Sequence, residues 1–198
     1  MKIIAIEGLD GSGKTSLCSA LSEVDWQDLK VVCLTSPATA LRELCYEWRG
    51  KNPQASALGF LLGTKAMLDQ VAEDIDIVIF DRYLLSTLVH HFDVIEGYIS
   101  EFHEFLLAMG YQAPDLTVYL QCQVSTSVSR IAQRENDRPL IVSLRRQKEL
   151  YERVPHGIFI DEWFKGGVMQ LPNDEENNFL NVVESVRQEV LKLHKKRR

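Results

Sequence analysis

The residues best suited to do chemistry stand together near the start of the chain. Gly8-Leu9-Asp10-Gly11-Ser12-Gly13-Lys14-Thr15 follows the pattern Gly-x-x-x-x-Gly-Lys-[Ser/Thr]. Glycines let a backbone curl until successive N–H groups converge on phosphate oxygens. The N-terminus of a following helix adds partial positive charge there. Lys14 adds a full charge for the outer phosphates, and the Thr15 hydroxyl suits a Mg²⁺ ion. The segment from Gly8 to Ser16 therefore reads as a triphosphate cradle. A second acidic anchor ends the run Ile77-Val78-Ile79-Phe80-Asp81. Asp81 reads either as a partner of Thr15 in holding Mg²⁺ or as a helix cap or turn carboxylate. Beside it, Arg82 offers the forked donor geometry that phosphate oxygens accept.

Arg130, Arg134 and Arg138 are spaced four apart. Arg130 reads equally as a solvated helix face or as part of the site. Arg134 and Arg138 flank the polar stretch 134–139, which reads as a short lid over the phosphates. Such a lid admits nucleotide and then excludes water, and its arginines stabilise the charge on a phosphoryl group in flight.

These groups need a scaffold. Short β-branched and apolar runs at Ile3–Ile6, Val31–Leu34, Ile77–Phe80, Leu116–Leu120 and Val168–Leu171 predict strands buried on both faces of a parallel sheet. Helical spacing predicts helices through Leu58–Leu68, through Ile95, Ile99, Phe102 and Leu106, and from Phe179 to Leu193. The cradle follows the first run, and an apolar-periodic helix opens at Lys14. Alternation of this kind predicts a doubly wound α/β domain with its site at the carboxyl ends of the strands.

Composition narrows the rest. A chain of 198 residues, 45% hydrophobic and 25% charged, suits one globular domain spanning 1–198. A net charge of −6 disfavours nucleic acid as a partner. The opening apolar run is too short for a signal peptide, and no run is long enough to span a bilayer. Cys18, Cys33, Cys45 and Cys122 show no paired spacing, so they read as reduced thiols of a cytoplasmic protein. Lys195-Lys196-Arg197-Arg198 reads as a helix end whose cations face the carbonyl dipole.

With these motifs in view, the sequence resembles the thymidylate kinase family of nucleoside monophosphate kinases. The opening Ile4–Thr15, the triplet Asp81-Arg82-Tyr83 followed by Ser86 and Leu88, the run Ala113-Pro114-Asp115-Leu116-Thr117-Val118-Tyr119-Leu120, and Arg134 with Asp137-Arg138 all look like family motifs. The resemblance implies a three-layer α/β/α sandwich with a five-stranded parallel sheet of order 2-3-1-4-5. It implies phosphoryl transfer from ATP with Mg²⁺ to a small nucleotide, dTMP first, and a homodimer. It implies that Lys14, Arg82, Arg134 and Arg138 are catalytic. Asp10 would touch the acceptor sugar, with Glu7 in the same acidic cluster, and adenine would lie near Pro172–Asp174.

Departures concentrate on the acceptor side. After the second strand the family carries an arginine that grips the acceptor phosphate; this chain reads Thr35-Ser36-Pro37-Ala38, which leaves Arg42 as the substitute. The family's Phe-x-x-x-Arg is matched by Leu61 and Lys65, with Phe60 as the displaced aromatic. His90-His91 replaces a Tyr-Gln pair, and His90 joins Ser86 as an acceptor-site candidate. Two other readings stay open: a deoxynucleoside kinase with Glu7 as its base, and a nucleotide-binding regulator without turnover.

Overall fold

The structure, a computed structural model, describes residues 1–133, 141–153, 166–175 and 178–195. Five parallel strands form one sheet: β1 (Lys2–Gly8), β2 (Val31–Thr35), β3 (Ile77–Asp81), β4 (Leu116–Gln121) and β5 (Val168–Pro172). Their order is β2-β3-β1-β4-β5, as the resemblance implies. β1 lies at the centre, with Ile6 opposite Asp81 of β3 and Gly8 opposite Leu120 of β4. The ends of three neighbouring strands thus meet at one edge, so residues far apart in sequence become neighbours.

Burial on both faces holds for β1, β3 and β4, whose apolar residues from Ile3 to Leu120 are almost fully enclosed. The outer strands β2 and β5 are only half-buried. An edge strand has a sheet neighbour on one side alone, and composition does not show that.

Helices cover the sheet. They are α1 (Lys14–Ser22), α2 (Thr39–Arg49), α3 (Pro53–Asp69), α4 (Leu84–His90), α5 (Phe92–Ile95), α6 (Ile99–Ala108), α7 (Val124–Ala132), α8 (Ile141–Arg153) and α9 (Phe179–Lys195). On one face, Leu17, Leu21, Val182, Val186 and Val190 of α1 and α9 pack on Ile4, Ile6 and Val118. On the other, Leu61, Leu84 and Leu106 pack on Ile3, Val78 and Phe80.

Two helical expectations change. The pattern through Ile95 and Leu106 is split by a 3₁₀ turn at Glu96–Tyr98 that contains Gly97. In α3 the leucine stripe does not all face inward, for Leu58 and Leu62 are exposed. The buried face combines Phe60, Leu61 and Leu68 with small residues, Ser56, Ala57, Gly59, Gly63 and Thr64. A Cβ on Gly59 would meet Cys45 Sγ at 2.5 Å, and one on Gly63 would meet Leu41 and Pro37 at 2.6 Å. Close approach of α2, not an apolar stripe, therefore sets the rotation of α3. Among the described residues no helix is long and apolar enough to cross a membrane, and all four cysteines are free thiols.

Candidate active site

The cradle forms where β1 ends. Gly8 takes φ 147° and Gly13 takes φ 96°. A side chain at Gly8 would put its Cβ 2.7 Å from the Leu120 carbonyl, and one at Gly13 would meet Asn173 at 2.5 Å. Only glycine fits at these two turns. Gly13 opens α1 with no side-chain cap and no acidic residue in the first turn, so the helix end faces the loop with its own positive dipole.

Lys14 is buried, and its Nζ donates to the carbonyls of Gly8 at 2.9 Å and Leu9 at 2.5 Å. Burial, together with the nearby Arg82 guanidinium, lowers its pKa to about 7, although Asp10 and Asp81 pull the other way. This gives a pH prediction. A polyanion in the loop favours the ammonium, so binding above the free pKa takes up a proton. Affinity for ATP is therefore expected to fall as pH rises from 7.5 to 9, by up to about tenfold per unit. Calorimetry in buffers of different ionisation enthalpy reads both the affinity and the proton uptake; a flat profile contradicts it.

Beside the loop, Thr15 Oγ1 donates to Asp81 Oδ2 at 2.7 Å. Asp81 Oδ1 is buried and has no hydrogen-bond partner among the described residues. A buried carboxylate oxygen left unpaired next to a hydroxyl suits a hard cation that takes oxygen ligands. The pair expected for Mg²⁺ is thus together and fits the ion. No cluster of three or more His, Cys, Asp or Glu side chains able to hold a metal exists among the described residues.

Arg82 leaves β3 in the left-handed region, at φ 71°. Such a conformation costs a non-glycine residue about 1–2 kcal/mol. Neighbours impose it: Arg82 N–H donates to Ile6 O at 3.1 Å, and Tyr83 N–H donates to Glu7 Oε1 at 2.9 Å. The kink turns the guanidinium across the cradle, where Nη2 pairs with Asp10 and Nη1 reaches Ser86 Oγ and His90 Nε2, each at 3.3 Å. Burial would raise the Asp10 carboxyl, but Arg82, His90 and Lys14 hold it well below the usual carboxylate range.

Glu7 is fully enclosed. It accepts from Tyr83 N–H and Ser86 Oγ, and burial pushes its pKa up despite these bonds. Its carboxylate orders the turn after β3.

A small cavity of about 20 Å³, room for about one water molecule, lies beside Arg82. Of the predicted acceptor residues it takes in Phe60, Arg82, Ser86 and His90. Three others lie elsewhere. Arg42 is spent on the carbonyls of Thr35 and Pro37, at 3.3 and 2.8 Å. Leu61 is core. Lys65 pairs with Asp69 one helical turn on. The cavity takes in His91 of the His90-His91 pair and adds residues that sequence reasoning missed, among them Ser36, Tyr46 and Arg49. No spacing signal marked Arg49, because α2 meets α3 only through tertiary packing.

On the opposite wall, Arg130 belongs to the site. Its Nη1 donates to Asn173 O at 2.8 Å and Gly11 O at 3.4 Å, and its Nη2 donates to Asp174 O at 3.2 Å. Asn173 Nδ2 in turn donates to Ser12 O at 2.7 Å. One guanidinium ties the cradle to the loop after β5. Arg130→Ala is expected to raise KM for ATP about tenfold while kcat changes less. Steady-state kinetics checks this; an effect confined to the acceptor KM would contradict it. Arg134 and Arg138 and the lid at 134–139 fall outside the described residues.

A family model, Thymidylate kinase, matches residues 6–165. The chain belongs to the thymidylate kinase family. A probable thymidylate kinase of Methanospirillum hungatei is 34% identical over 145 residues, covering 67% of this chain and 68% of that one. A probable thymidylate kinase of Metallosphaera sedula is 27% identical over 154 residues, covering 77% and 75%. In fold, the chain is similar to a deoxyadenosine kinase of M. mycoides, with a TM-score of 0.71 at 20% identity over 96% of this chain and 99% of that one. A thymidylate kinase family chain with this cradle is a nucleotide kinase.

Proposed function

We propose that this enzyme moves the γ-phosphoryl group of ATP onto the 5′-phosphate of a deoxynucleoside monophosphate, with dTMP the first candidate. The observation that carries the reading is the position of Arg82: its guanidinium stands between the phosphate cradle and the cavity, held by Asp10 on one side and Ser86 on the other. A cation there meets both the transferred group and an acceptor phosphate.

In this reading the N–H groups of 8–16 and the Lys14 ammonium hold the triphosphate. Thr15 and Asp81 hold Mg²⁺, which neutralises charge on the β- and γ-phosphates. Asp10 accepts a hydrogen bond from the acceptor sugar while fixing Arg82. Arg134 and Arg138 close over the phosphates. The acceptor is already an anion, so no strong base is required, and alignment with charge compensation supplies the rate. Adenine rests by Asn173 and Asp174. The protein works in the cytoplasm as a homodimer, with exposed Leu58 and Leu62 of α3 in the shared face; light scattering on a size-exclusion column tests the dimer.

A deoxynucleoside kinase would need a base at the acceptor hydroxyl. Glu7 does not suit that task, because both its oxygens are engaged and no solvent reaches it. A coupled assay that offers dTMP and thymidine in parallel decides between the two. Turnover of dTMP at least tenfold above thymidine is expected; the reverse order overturns the proposal.

A further inference from the structure

Tyr151 stands on α8, whose buried face runs through Leu144, Gln147, Leu150 and Tyr151. Its ring lies almost parallel to that of Tyr119, with centres 5.4 Å apart, and only 1% of the residue is exposed. Phenylalanine would fill the same space. A phenol enclosed there has the advantage only where its hydroxyl finds a partner. The partner is Ser86 Oγ of α4, at 3.0 Å.

That serine has two other bonds, and together they decide which way each proton points. Glu7 accepts on both oxygens, from Tyr83 N–H and from Ser86 Oγ. Arg82 Nη1 donates to Ser86 Oγ at 3.3 Å. A hydroxyl has one proton and two lone pairs. The proton goes to Glu7 and one lone pair to Arg82, so the bond with Tyr151 is donated by the phenol. Burial, with the Glu7 charge nearby, pushes the Tyr151 phenol up, which keeps it protonated and a donor. Every bonding position on Ser86 Oγ is then filled, and its rotor has one setting.

The Arg82 fork depends on that setting. Nη1 gives its two protons to Ser86 and to His90 Nε2, and Nη2 gives one to Asp10. Asp10 is 40% exposed along its side chain, whereas Ser86 is buried. Ser86 is therefore the enclosed anchor of the guanidinium. Among the described residues nothing takes the second Nη2 proton, which leaves it for a phosphate. Tyr151 does not line the cavity beside Arg82, so whatever it does for the reaction passes through Ser86.

We propose that Tyr151 is a positioning residue for phosphoryl transfer: its hydroxyl fixes Ser86, and through Ser86 it aims the Arg82 guanidinium at the transferred group. This rests on the reading of Arg82 given above. Misplacing a catalytic group by about 1 Å costs up to about 10²-fold in rate. Glu7 still holds Ser86 when the phenol is gone, so the expected loss is smaller than that.

The test compares the wild type with Tyr151→Phe, Ser86→Ala, the double variant and Tyr119→Phe, using ATP with dTMP or the monophosphate turned over fastest. Tyr151→Phe is expected to lower kcat about tenfold while KM for either substrate changes less than about threefold. Tyr119→Phe removes a hydroxyl from the same stack and is expected to keep kcat within about twofold. Added to Ser86→Ala, Tyr151→Phe is expected to change kcat by less than about twofold, because the phenol has already lost its partner. Nitrogen NMR of the Arg82 guanidinium gives a readout that needs no turnover. Its Nη signals are expected to be resolved in the wild type and averaged by rotation in Tyr151→Phe. Full kcat in Tyr151→Phe, an equal loss in Tyr119→Phe, losses that multiply in the double variant, or Arg82 signals alike in the two proteins each overturn the inference. Absence of wild-type turnover with every monophosphate overturns the proposed reaction, and the NMR comparison then decides whether Tyr151 fixes Arg82.

Discussion

Lys14→Met is expected to lower kcat/KM for phosphoryl transfer by at least about 10³-fold while leaving the protein folded. Removal of a single preorganised donor from a charge-stabilising site costs about 10²–10³, and Lys14 contributes a full charge in addition. It is buried, and its ammonium sits among the carbonyls that shape the loop. Methionine keeps the length of the stem and discards the charge. Two opposing effects on stability follow. The carbonyls of Gly8 and Leu9 lose a donor, about 1 kcal/mol each. The protein also no longer holds a cation that burial disfavours. A melting temperature within a few degrees of the wild type is therefore expected, and calorimetry checks it alongside a coupled kinase assay. A variant that keeps more than a tenth of its kcat/KM removes Lys14 from the transfer step.

Arg82→Ala carries the second large effect, a loss of about 10²–10³ in kcat. The guanidinium is bonded at once to Asp10, Ser86 and His90, so its loss disarms more than one charge. Asp10 loses its main counter-charge in a place where burial already opposes ionisation. A lysine reaches phosphate only as a point charge and lacks the fork that spans two partners, so Arg82→Lys is expected to recover less than a tenth of the lost rate. Single-turnover measurement of the transfer step, with acceptor binding followed separately, distinguishes a defect in chemistry from one in binding. Wild-type single-turnover rates with weakened acceptor binding would make Arg82 a binding residue only.

The donor half of this site was legible because its chemistry is local. Eight consecutive residues carry the cradle, and the glycine positions state where the backbone must bend. Asp81 and Arg82 announced themselves as a charged pair closing an apolar strand, and the register of β1 against β3 brings them to Thr15 and Asp10. The strands were readable too, save that the half-burial of β2 and β5 follows from sheet order, which composition does not encode. The acceptor half was read less well for a physical reason. Its wall comes from α2, α3 and α4, whose rotations depend on how tightly the backbones approach. Gly59 and Gly63 let α2 settle deep against α3, exposing Leu58 and Leu62 while keeping Phe60 at the cavity. Lys65 and Arg42 look available in sequence, yet each finds a nearer partner in its own segment. Arg49 carried no motif, and only the packing of α2 on α3 brings it to the cavity.

The left-handed turn at Arg82 has a bearing on how such an enzyme diversifies. Its backbone is clasped by Ile6 and Glu7 of the central strand, the same strand that runs on into the glycine loop. Both charged jaws of the cleft are therefore referenced to one rigid beam, as is α4 through the Ser86–Glu7 bond, whereas α2 and α3, which complete the wall, have no such tether among the described residues. Substitutions in those helices can retune what is admitted, generation after generation, without disturbing the alignment on which transfer depends.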